Sequence, residues 1–299
     1  MESVHANVRI RIKMHLVTVV NKDHPGLDLW QHTARLAGHE PTVLRAPKAS
    51  KIGHESKWFG QKFVTLDAHL STLPPDDWVM VTDGFDVVVL DAPAVLEKKL
   101  QSIVSPSQIL FSAEVFENPD KGNPYKTRQL QFPFLNSGTY GGTVATIRKA
   151  LRPALDDPDV LRLDDQRYYT QQMFLHPEMF VLDHDAHVFL CLAGFKNFSF
   201  ANGRLVVGGS KTTPSVLHFQ GYFKNTLGVL PHLFPSDPRV ASLASQLHRE
   251  PNRFTFIGDA ISAVGRPLPF GDKAPFLVGL IVLLVIVGAA VWDLKRRTT

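Results

Sequence analysis

The chain has 299 residues, about twice the usual domain length of roughly 150, so it is long enough for one large domain or two small ones. Its 44% hydrophobic and 20% charged residues are typical of a folded protein and exclude a largely disordered or collagen-like chain. The net charge of +4, without a long lysine or arginine run, gives no footprint of nucleic-acid binding, and the single cysteine, Cys191, excludes an internal disulfide.

The first half of the chain predicts alternating strands and helices. Short apolar runs at 16–20, 42–44, 78–82 and 109–112 predict strands. Helical spacing of apolar residues predicts helices at 29–37, 63–73 and 93–100, with Gly38 as a C-cap and Pro93 at a helix start. This alternation is typical of an α/β domain with a mainly parallel sheet.

The second half begins with a polar segment rich in proline and glycine, 118–131, which we interpret as a loop over a site. Helices are predicted at 144–151 and 165–175, and strands at 180–182 and 216–219. From about residue 230 the sequence is proline-rich, with one amphipathic stretch at 240–248. We therefore expect an N-terminal tail at 1–13, one domain at 14–230 and a stem at 231–273.

An uncharged run at 274–292 predicts a membrane-spanning helix. Its roughly 19 residues would extend over roughly 28 Å, close to the hydrocarbon thickness of a bilayer. A basic tail, 293–299, follows it, and the positive-inside rule favours a cytosolic tail with a lumenal domain. The start of the chain, however, is not a convincing signal peptide, which favours a tail-anchored protein with a cytosolic domain. The orientation therefore stays open between the two.

Two carboxylates, Asp83 and Asp86, follow the strand at 78–82. Open α/β sheets bind ligands at the carboxyl ends of their strands, and two hard oxygen donors there can hold a divalent cation that bridges nucleotide phosphates. An ordinary Asp-Gly turn with solvated carboxylates is the alternative. By contrast, the Asp and His residues of 183–187 follow a strand with alternating side-chain directions, so we interpret them as structural or solvated.

Five motifs occur in an order that resembles a known family. They are TDGFD at 82–86, FSAE at 111–114, FLNSGTYGG at 134–142, DDQRYYT at 164–170 and HFQG at 218–221, followed by Lys224. Over about 16–224 the chain resembles the glycosyltransferase domain of the procollagen lysyl hydroxylases and the related procollagen galactosyltransferases. The resemblance implies a GT-A fold, which is a Rossmann-like nucleotide-sugar-binding domain with a mainly parallel central sheet.

The resemblance also implies a Mn²⁺ site with Asp83, Asp86 and His218 as its protein ligands. Two carboxylates and an imidazole suit this ion, and diphosphate oxygens of a UDP-sugar would take further positions. The residues that the resemblance places near the donor are Val19, Val20, Lys62, Phe85, Asn136, Gly138, Gly221 and Lys224.

Three further carboxylates receive catalytic or sugar-binding roles from the resemblance: Asp164, Asp165 and Glu114. Asp164 also suits the N-cap of the helix at 165–175, and the two roles are compatible. Glu114 could equally be a surface carboxylate. The family commonly has asparagine where this chain has Gln220, and often tryptophan near the position of Asn118.

These observations predict a membrane-anchored, Mn²⁺-dependent glycosyltransferase. It would transfer glucose or galactose from a UDP-sugar to a hydroxyl-bearing protein or glycan. We expect the lipid bilayer to be a further partner, and we expect no nucleic-acid partner. A non-catalytic nucleotide-sugar-binding membrane protein with the same fold is the alternative. A metal-dependent phosphoesterase would need a second cluster of ligands, which does not align in this sequence.

Overall fold

The computed structural model describes residues 13–47, 58–159, 161, 164–220 and 227–249. Within these ranges the strands are β1 (Met14–Val20), β2 (Thr42–Arg45), β3 (Trp78–Thr82), β4 (Val87–Val89), β5 (Ile109–Glu114), β6 (Phe134–Thr143), β7 (Phe180–Asp183), β8 (Phe189–Cys191), β9 (Phe198–Ala201), β10 (Arg204–Val207) and β11 (Val216–His218). The helices are α1 (Pro25–Leu36), α2 (Trp58–Leu70), α3 (Pro93–Ile103), α4 (Val144–Asp156), α5 (Asp165–Leu175), α6 (Leu230–Leu233) and α7 (Pro238–Arg249).

The central sheet has six strands in the order β2-β1-β3-β6-β5-β7. β1 pairs in parallel with β2 and β3, and β5 pairs in parallel with β7. β6 runs antiparallel to both of its neighbours, β3 and β5. Five strands therefore share one direction, which confirms the predicted α/β domain with a mainly parallel sheet.

β6 was not predicted as a strand, because its glycines conceal the usual strand composition. Gly141 lies beneath α3, where a side-chain Cβ would be only 3.0 Å from Leu100 Cδ1. Tyr140, on the same strand, is buried and stacks on Phe111 of β5 at 4.8 Å between ring centroids. The glycines thus allow a helix to approach one face of the sheet closely, while an aromatic residue fills the space on the other.

Aromatic residues form the core between the sheet and the helices α2, α4 and α5. Phe63, Phe111, Tyr140, Tyr168 and Tyr169 are all buried there. The Tyr169 hydroxyl donates to the Tyr140 hydroxyl at 3.0 Å, so the buried polar ends of these rings are paired. This packing fixes the N-terminal end of α5 beside the end of β3.

A smaller sheet has the strand order β4-β11-β8, and its strand β11 carries His218, one of the predicted metal ligands. β11 runs antiparallel to β4 and parallel to β8. β9 and β10 form a separate hairpin whose turn, Asn202-Gly203, has positive φ angles of 52° and 71°. Asparagine followed by glycine is the usual sequence for such a two-residue turn.

The helix α7 packs against the domain through buried Val240, Leu243 and Leu247. Asp237 caps it by accepting hydrogen bonds from the backbone of Arg239 and Val240, and its carboxylate also contacts His32 of α1 at 2.8 Å. Residues 231–249, which we assigned to a stem, therefore pack on the domain. The reason is that the amphipathic spacing at 240–248 provides an apolar face that the domain buries.

Among the residues with described structure, no helix is both long and apolar enough to span a bilayer. The predicted membrane segment at 274–292, the rest of the stem and the basic tail at 293–299 lie outside the described residues. The N-terminal tail lies outside them except for Lys13.

Candidate active site

Three predicted metal ligands meet where the two sheets adjoin. Asp83 and Asp86 lie in the turn between β3 and β4, and His218 is the last residue of β11. Because β11 pairs with β4, His218 lies opposite Val87, next to Asp86. One ligand atom from each of the three residues lies within 4.8 Å of the others, so the structure brings together the three residues that the sequence analysis selected.

The imidazole of His218 is buried with Nε2 turned toward the carboxylates. Nε2 lies 3.4 Å from Asp86 Oδ2 and 3.8 Å from Asp83 Oδ2, and among the described residues it has no hydrogen-bond partner. Burial opposes protonation of this ring, but the Asp86 carboxylate outweighs it and holds the pKa of His218 well above its usual value. A buried nitrogen aimed at two carboxylates has the position that a shared cation requires.

Gly138 makes room for this cluster. A Cβ at this position would lie 2.1 Å from His218 Cε1 and 2.8 Å from Asp83 Oδ2. Its carbonyl also accepts a hydrogen bond from the Asp83 backbone N–H at 2.6 Å. We assigned Gly138 to the donor pocket by resemblance, and the structure places it against the imidazole and one carboxylate, where only glycine fits.

Lys62 links the metal cluster to α5. Its ammonium is buried and donates to Asp83 Oδ1 and to Asp165 Oδ2, both at 2.8 Å. Burial opposes the charged form, but the two carboxylates raise the pKa of Lys62 well above its usual value. The lysine that we expected near the donor is therefore an ion-pair bridge between a metal ligand and a predicted catalytic carboxylate.

The acidic pair at the start of α5 divides between two tasks. Asp164 is the N-cap, and its Oδ1 accepts from the backbone N–H groups of Gln166 at 3.0 Å and Arg167 at 3.1 Å. Burial and the neighbouring Asp165 raise the pKa of Asp164. The capping role considered in the sequence analysis is confirmed, and Asp165 faces Lys62 instead.

Glu114 is buried rather than on the surface and is held by three carboxamides. Its Oε1 accepts from Asn136 Nδ2 at 3.1 Å and Gln166 Nε2 at 2.8 Å, and its Oε2 accepts from Gln220 Nε2 at 3.4 Å. Burial raises the pKa of Glu114, and the amide donors oppose that effect. Among the described residues no lysine or arginine pairs with this carboxylate, and its direct hydrogen-bond partners are the three uncharged amides.

The loop that follows β5 is attached to the start of α5. Arg167 makes a two-pronged ion pair with Asp120, with N–O distances of 2.7 Å and 2.8 Å, and Gln166 Nε2 donates to the Asn118 carbonyl at 3.1 Å. The predicted loop over the site is therefore held beside Glu114. Gln166 was not selected from the sequence, although it follows directly after the acidic pair, because glutamine carries no charge that would mark it as chemically active.

The remaining predicted donor residues line the end of β1. Val19 and Val20 are buried at that end, and the half-buried ring of Phe85 lies 4.9 Å from the ring of His24 and 5.6 Å from Lys22 Nζ. An aromatic ring beside a lysine and a histidine suits a planar base attached to an anionic phosphate. Gly221 and Lys224 lie outside the described residues.

Among the residues that the structure describes around the proposed metal ligands, carboxylates outnumber cations. Asp83, Asp86, Glu114 and Asp165 contribute carboxylates, whereas the cations are Lys62 and protonated His218. Oxygen ligands with one imidazole suit a hard or borderline divalent cation such as Mn²⁺ or Mg²⁺. The residues present therefore fit a divalent metal at Asp83, Asp86 and His218.

In the second run of Asp and His residues, at 183–187, the side chains of Asp183 and His184 make structural contacts, whereas those of Asp185 and His187 are exposed. The Asp183 carboxylate accepts hydrogen bonds from the backbone N–H groups of His187, Val188 and Phe189 at 2.9, 2.7 and 2.9 Å. The His184 ring contacts the Phe132 carbonyl at 2.6 Å instead of approaching Asp183. These contacts shape the turn before β8.

Two solved structures that are similar to this chain are a galactosyltransferase and a xylosyltransferase. The chain is similar to the crystal structure of the galactosyltransferase LgtC with donor and acceptor sugar analogs, at 14% identity and a TM-score of 0.46, covering 80% of this chain and 98% of that one. It is also similar to mouse xyloside xylosyltransferase 1, at 14% identity and a TM-score of 0.46, covering 70% and 98%.

A curated relative is the uncharacterized protein R699 of Acanthamoeba polyphaga mimivirus, 23% identical over 200 residues, or 62% of this chain. The matched region spans less than half, 43%, of that relative's length. Residues 11–237, which include every ligand of the proposed metal site, match the PLOD GT domain. The chain therefore belongs to the PLOD GT domain family, a family of glycosyltransferase domains.

Proposed function

We propose that this glycosyltransferase domain transfers a hexose, glucose or galactose, from a UDP-sugar to a hydroxyl group and depends on Mn²⁺. The observation that carries the proposal is the convergence of Asp83, Asp86 and His218 at the sheet edge where α/β domains bind nucleotides. A bound divalent cation would neutralise the charge that develops on the UDP leaving group as the glycosidic bond to phosphate breaks.

The chain's own residues supply position and charge around that event. Phe85, in the turn after β3, would stack on the uracil, and Lys22, whose Nζ lies 5.6 Å from the Phe85 ring, would bind a phosphate. Lys62 links Asp83 to Asp165, so it would hold the cation site and a carboxylate proposed to contact the sugar in a fixed geometry. Asp164 anchors α5, which keeps Asp165 at that distance.

Glu114 is proposed to receive the acceptor. Its Oε2 has one long amide contact, at 3.4 Å, whereas Oε1 has two shorter ones. A carboxylate oxygen has room for a further donor, and an acceptor hydroxyl would fill it and be oriented toward the sugar. Because burial raises the pKa of Glu114, the group is also a better proton acceptor than an exposed glutamate.

Membrane attachment is part of the same proposal. The uncharged segment at 274–292 would anchor the enzyme as a single-pass protein, with the basic tail at 293–299 on one side. Carbonate extraction of membranes from cells expressing the full-length chain tests this: the protein should stay with the pellet. Protease protection of the same membranes then assigns the domain to the lumenal or the cytosolic face. Release by carbonate would refute the anchor.

The decisive experiment measures UDP release from UDP-glucose and UDP-galactose by the full-length protein in detergent, with Mn²⁺ and with a chelator. Turnover should require the metal and be lost in Asp83→Asn. The matched control is Asp156→Asn, an exposed carboxylate of α4 that pairs only with Arg152 among the described residues, and it should retain turnover. If the protein binds UDP-sugar but releases no UDP with any acceptor, the result would favour the non-catalytic alternative. Failure to bind UDP with Mn²⁺ present would refute the proposal.

A further inference from the structure

The amide of Asn136 stands between the metal cluster and Glu114. It is buried on β6, with its oxygen turned to His218 Nδ1 at 3.0 Å and its nitrogen turned to Glu114 Oε1 at 3.1 Å. The two contacts connect a proposed metal ligand to a proposed acceptor-binding carboxylate through one side chain. The resemblance had placed this residue against the sugar.

Two contacts determine which terminal atom of the Asn136 side chain is the oxygen and which is the nitrogen. The Gly138 backbone N–H can only donate, and it points to Asn136 Oδ1 at 3.0 Å. The Glu114 carboxylate accepts from Nδ2 and from Gln166 Nε2. Gln166 is oriented in the same way, because its Oε1 accepts from the Ser137 backbone N–H at 3.3 Å. The oxygen of Asn136 therefore faces His218 without an ambiguity of amide rotation.

The orientation of Asn136 determines the tautomer of His218. An amide oxygen can only accept, so the nitrogen opposite it, Nδ1, must carry a hydrogen. The neutral ring then has its lone pair on Nε2, the atom that faces Asp83 and Asp86. A ring with the hydrogen on Nε2 would turn an N–H toward the cation and could not bind it.

We infer that Asn136 is a positioning residue that presents the Nε2 lone pair of His218 to the divalent cation and, through its other end, fixes the acceptor carboxylate Glu114. The inference rests on the proposed function and deepens it. Partners that orient a metal-binding histidine typically contribute roughly 10- to 100-fold to metal affinity.

The test measures binding of Mn²⁺ alone by electron paramagnetic resonance of the free ion, with the full-length protein and no UDP-sugar. Asn136→Ala removes both contacts, and we expect it to weaken Mn²⁺ binding roughly 10- to 100-fold. Gln166→Ala is the matched control, because it removes a contact to Glu114 but none to His218. It should leave the Mn²⁺ affinity within about threefold while lowering UDP-sugar turnover.

Asn136→Asp separates the two ends of the side chain. A carboxylate still accepts from His218 Nδ1 and Gly138 N–H but repels Glu114, so Mn²⁺ affinity should be retained while turnover falls. This variant also serves if Asn136→Ala does not fold, as judged by circular dichroism. Nitrogen NMR of the Mg²⁺-bound protein, with His218 assigned by the signal lost in His218→Asn, should show a protonated Nδ1.

An Asn136→Ala protein that binds Mn²⁺ as tightly as the parent would overturn the inference. Equal weakening in Gln166→Ala would do the same, as would a proton on Nε2 instead of Nδ1 of His218 in the Mg²⁺-bound protein. Each of these results requires a parent protein that binds Mn²⁺ and releases UDP. If the parent does neither, the proposed function fails instead, so the two failures are distinguishable.

Discussion

The short strand β4 separates two clusters of charged side chains that differ in their balance of positive and negative charge. Asp86 precedes the strand and belongs to the metal cluster, whereas Asp91 lies just beyond its other end. Asp91 has Lys99 Nζ at 3.0 Å, Ser215 Oγ at 2.6 Å and the guanidinium of Arg204 as donors. Two cations and a hydroxyl thus surround one carboxylate.

The metal cluster has the opposite composition. Asp83, Asp86 and Asp165 share the ammonium of Lys62 and the ring of His218, and the uncharged carboxamides beside Glu114 add no positive charge. The Asp91 cluster needs nothing further, and it joins α3, β10 and β11. This contrast indicates that a cluster with paired charges holds elements together, whereas an excess of carboxylates among the described residues at a sheet edge marks a candidate cation site.

The largest expected effect is the loss of catalysis when the unbalanced cluster loses a ligand. Asp86→Asn should lower UDP release from UDP-sugar at least about 10³-fold, equivalent to about 4 kcal/mol of barrier. The free energy of unfolding without metal should change little, because the relief of repulsion with Asp83 is offset by the loss of the contact with His218. Steady-state kinetics with urea denaturation checks both. A variant that is inactive only because it is unfolded would contradict the proposed charge imbalance.

The residues themselves could predict the mainly parallel sheet and two of the three proposed ligands, because Asp83 and Asp86 directly follow a clearly apolar strand. His218 was selected only through the resemblance. The resemblance supplied the distance in sequence between them. The pattern of residues along the chain does not by itself indicate that residues 83 and 218 lie close together in the fold.

The neutral parts of the site were harder to predict. Gln166 and the antiparallel strand β6 depend on tertiary contacts. The amide orientation of Gln166 is set by a backbone donor from another element, and on β6 Gly141 is explained by α3 and Gly138 by the metal cluster. The packing of α7 was missed for a similar reason. Its amphipathic pattern was visible, but the surface that buries Val240 and Leu243 is formed by residues distant in sequence.

The second-largest expected effect is a loss of stability when the cluster around Asp91 loses its carboxylate. Asp91→Asn leaves Lys99 and Arg204 with no carboxylate at this point, and we expect the free energy of unfolding to fall by about 3 kcal/mol. Metal-dependent turnover measured well below the melting temperature should stay within about threefold of the parent, since Asp91 contacts no residue of the metal cluster. Urea denaturation gives the first quantity. A matched loss of Mn²⁺ affinity would show that the two clusters are coupled through β4.

The third effect uses the metal as a ligand for the folded state. At a Mn²⁺ concentration of 100 times its dissociation constant, the parent and Asp91→Asn should both gain about 2.7 kcal/mol of unfolding free energy. Asp86→Asn should gain much less, because the cation binds only where the carboxylates remain. Thermal unfolding with increasing Mn²⁺ checks this. Equal stabilisation of Asp86→Asn would place the bound cation elsewhere on the protein.

The smallest expected effect is the contribution of Asp91 to the loss of folding stability at low pH. Burial alone would raise the pKa of this carboxyl, but hydrogen bonds from Arg204, Ser215 and Lys99 outweigh it and lower the pKa from 3.8 to about 2. A carboxyl with a depressed pKa in the folded protein stabilises it above its unfolded pKa, and this contribution is lost as the pH falls from about 4 toward 2. The shift corresponds to about 2 kcal/mol. Urea denaturation between pH 5 and pH 2 should therefore show a smaller loss of stability in Asp91→Asn than in the parent. Identical pH profiles would mean that other carboxyls account for the acid sensitivity, and that the Asp91 cluster contributes through packing more than through charge.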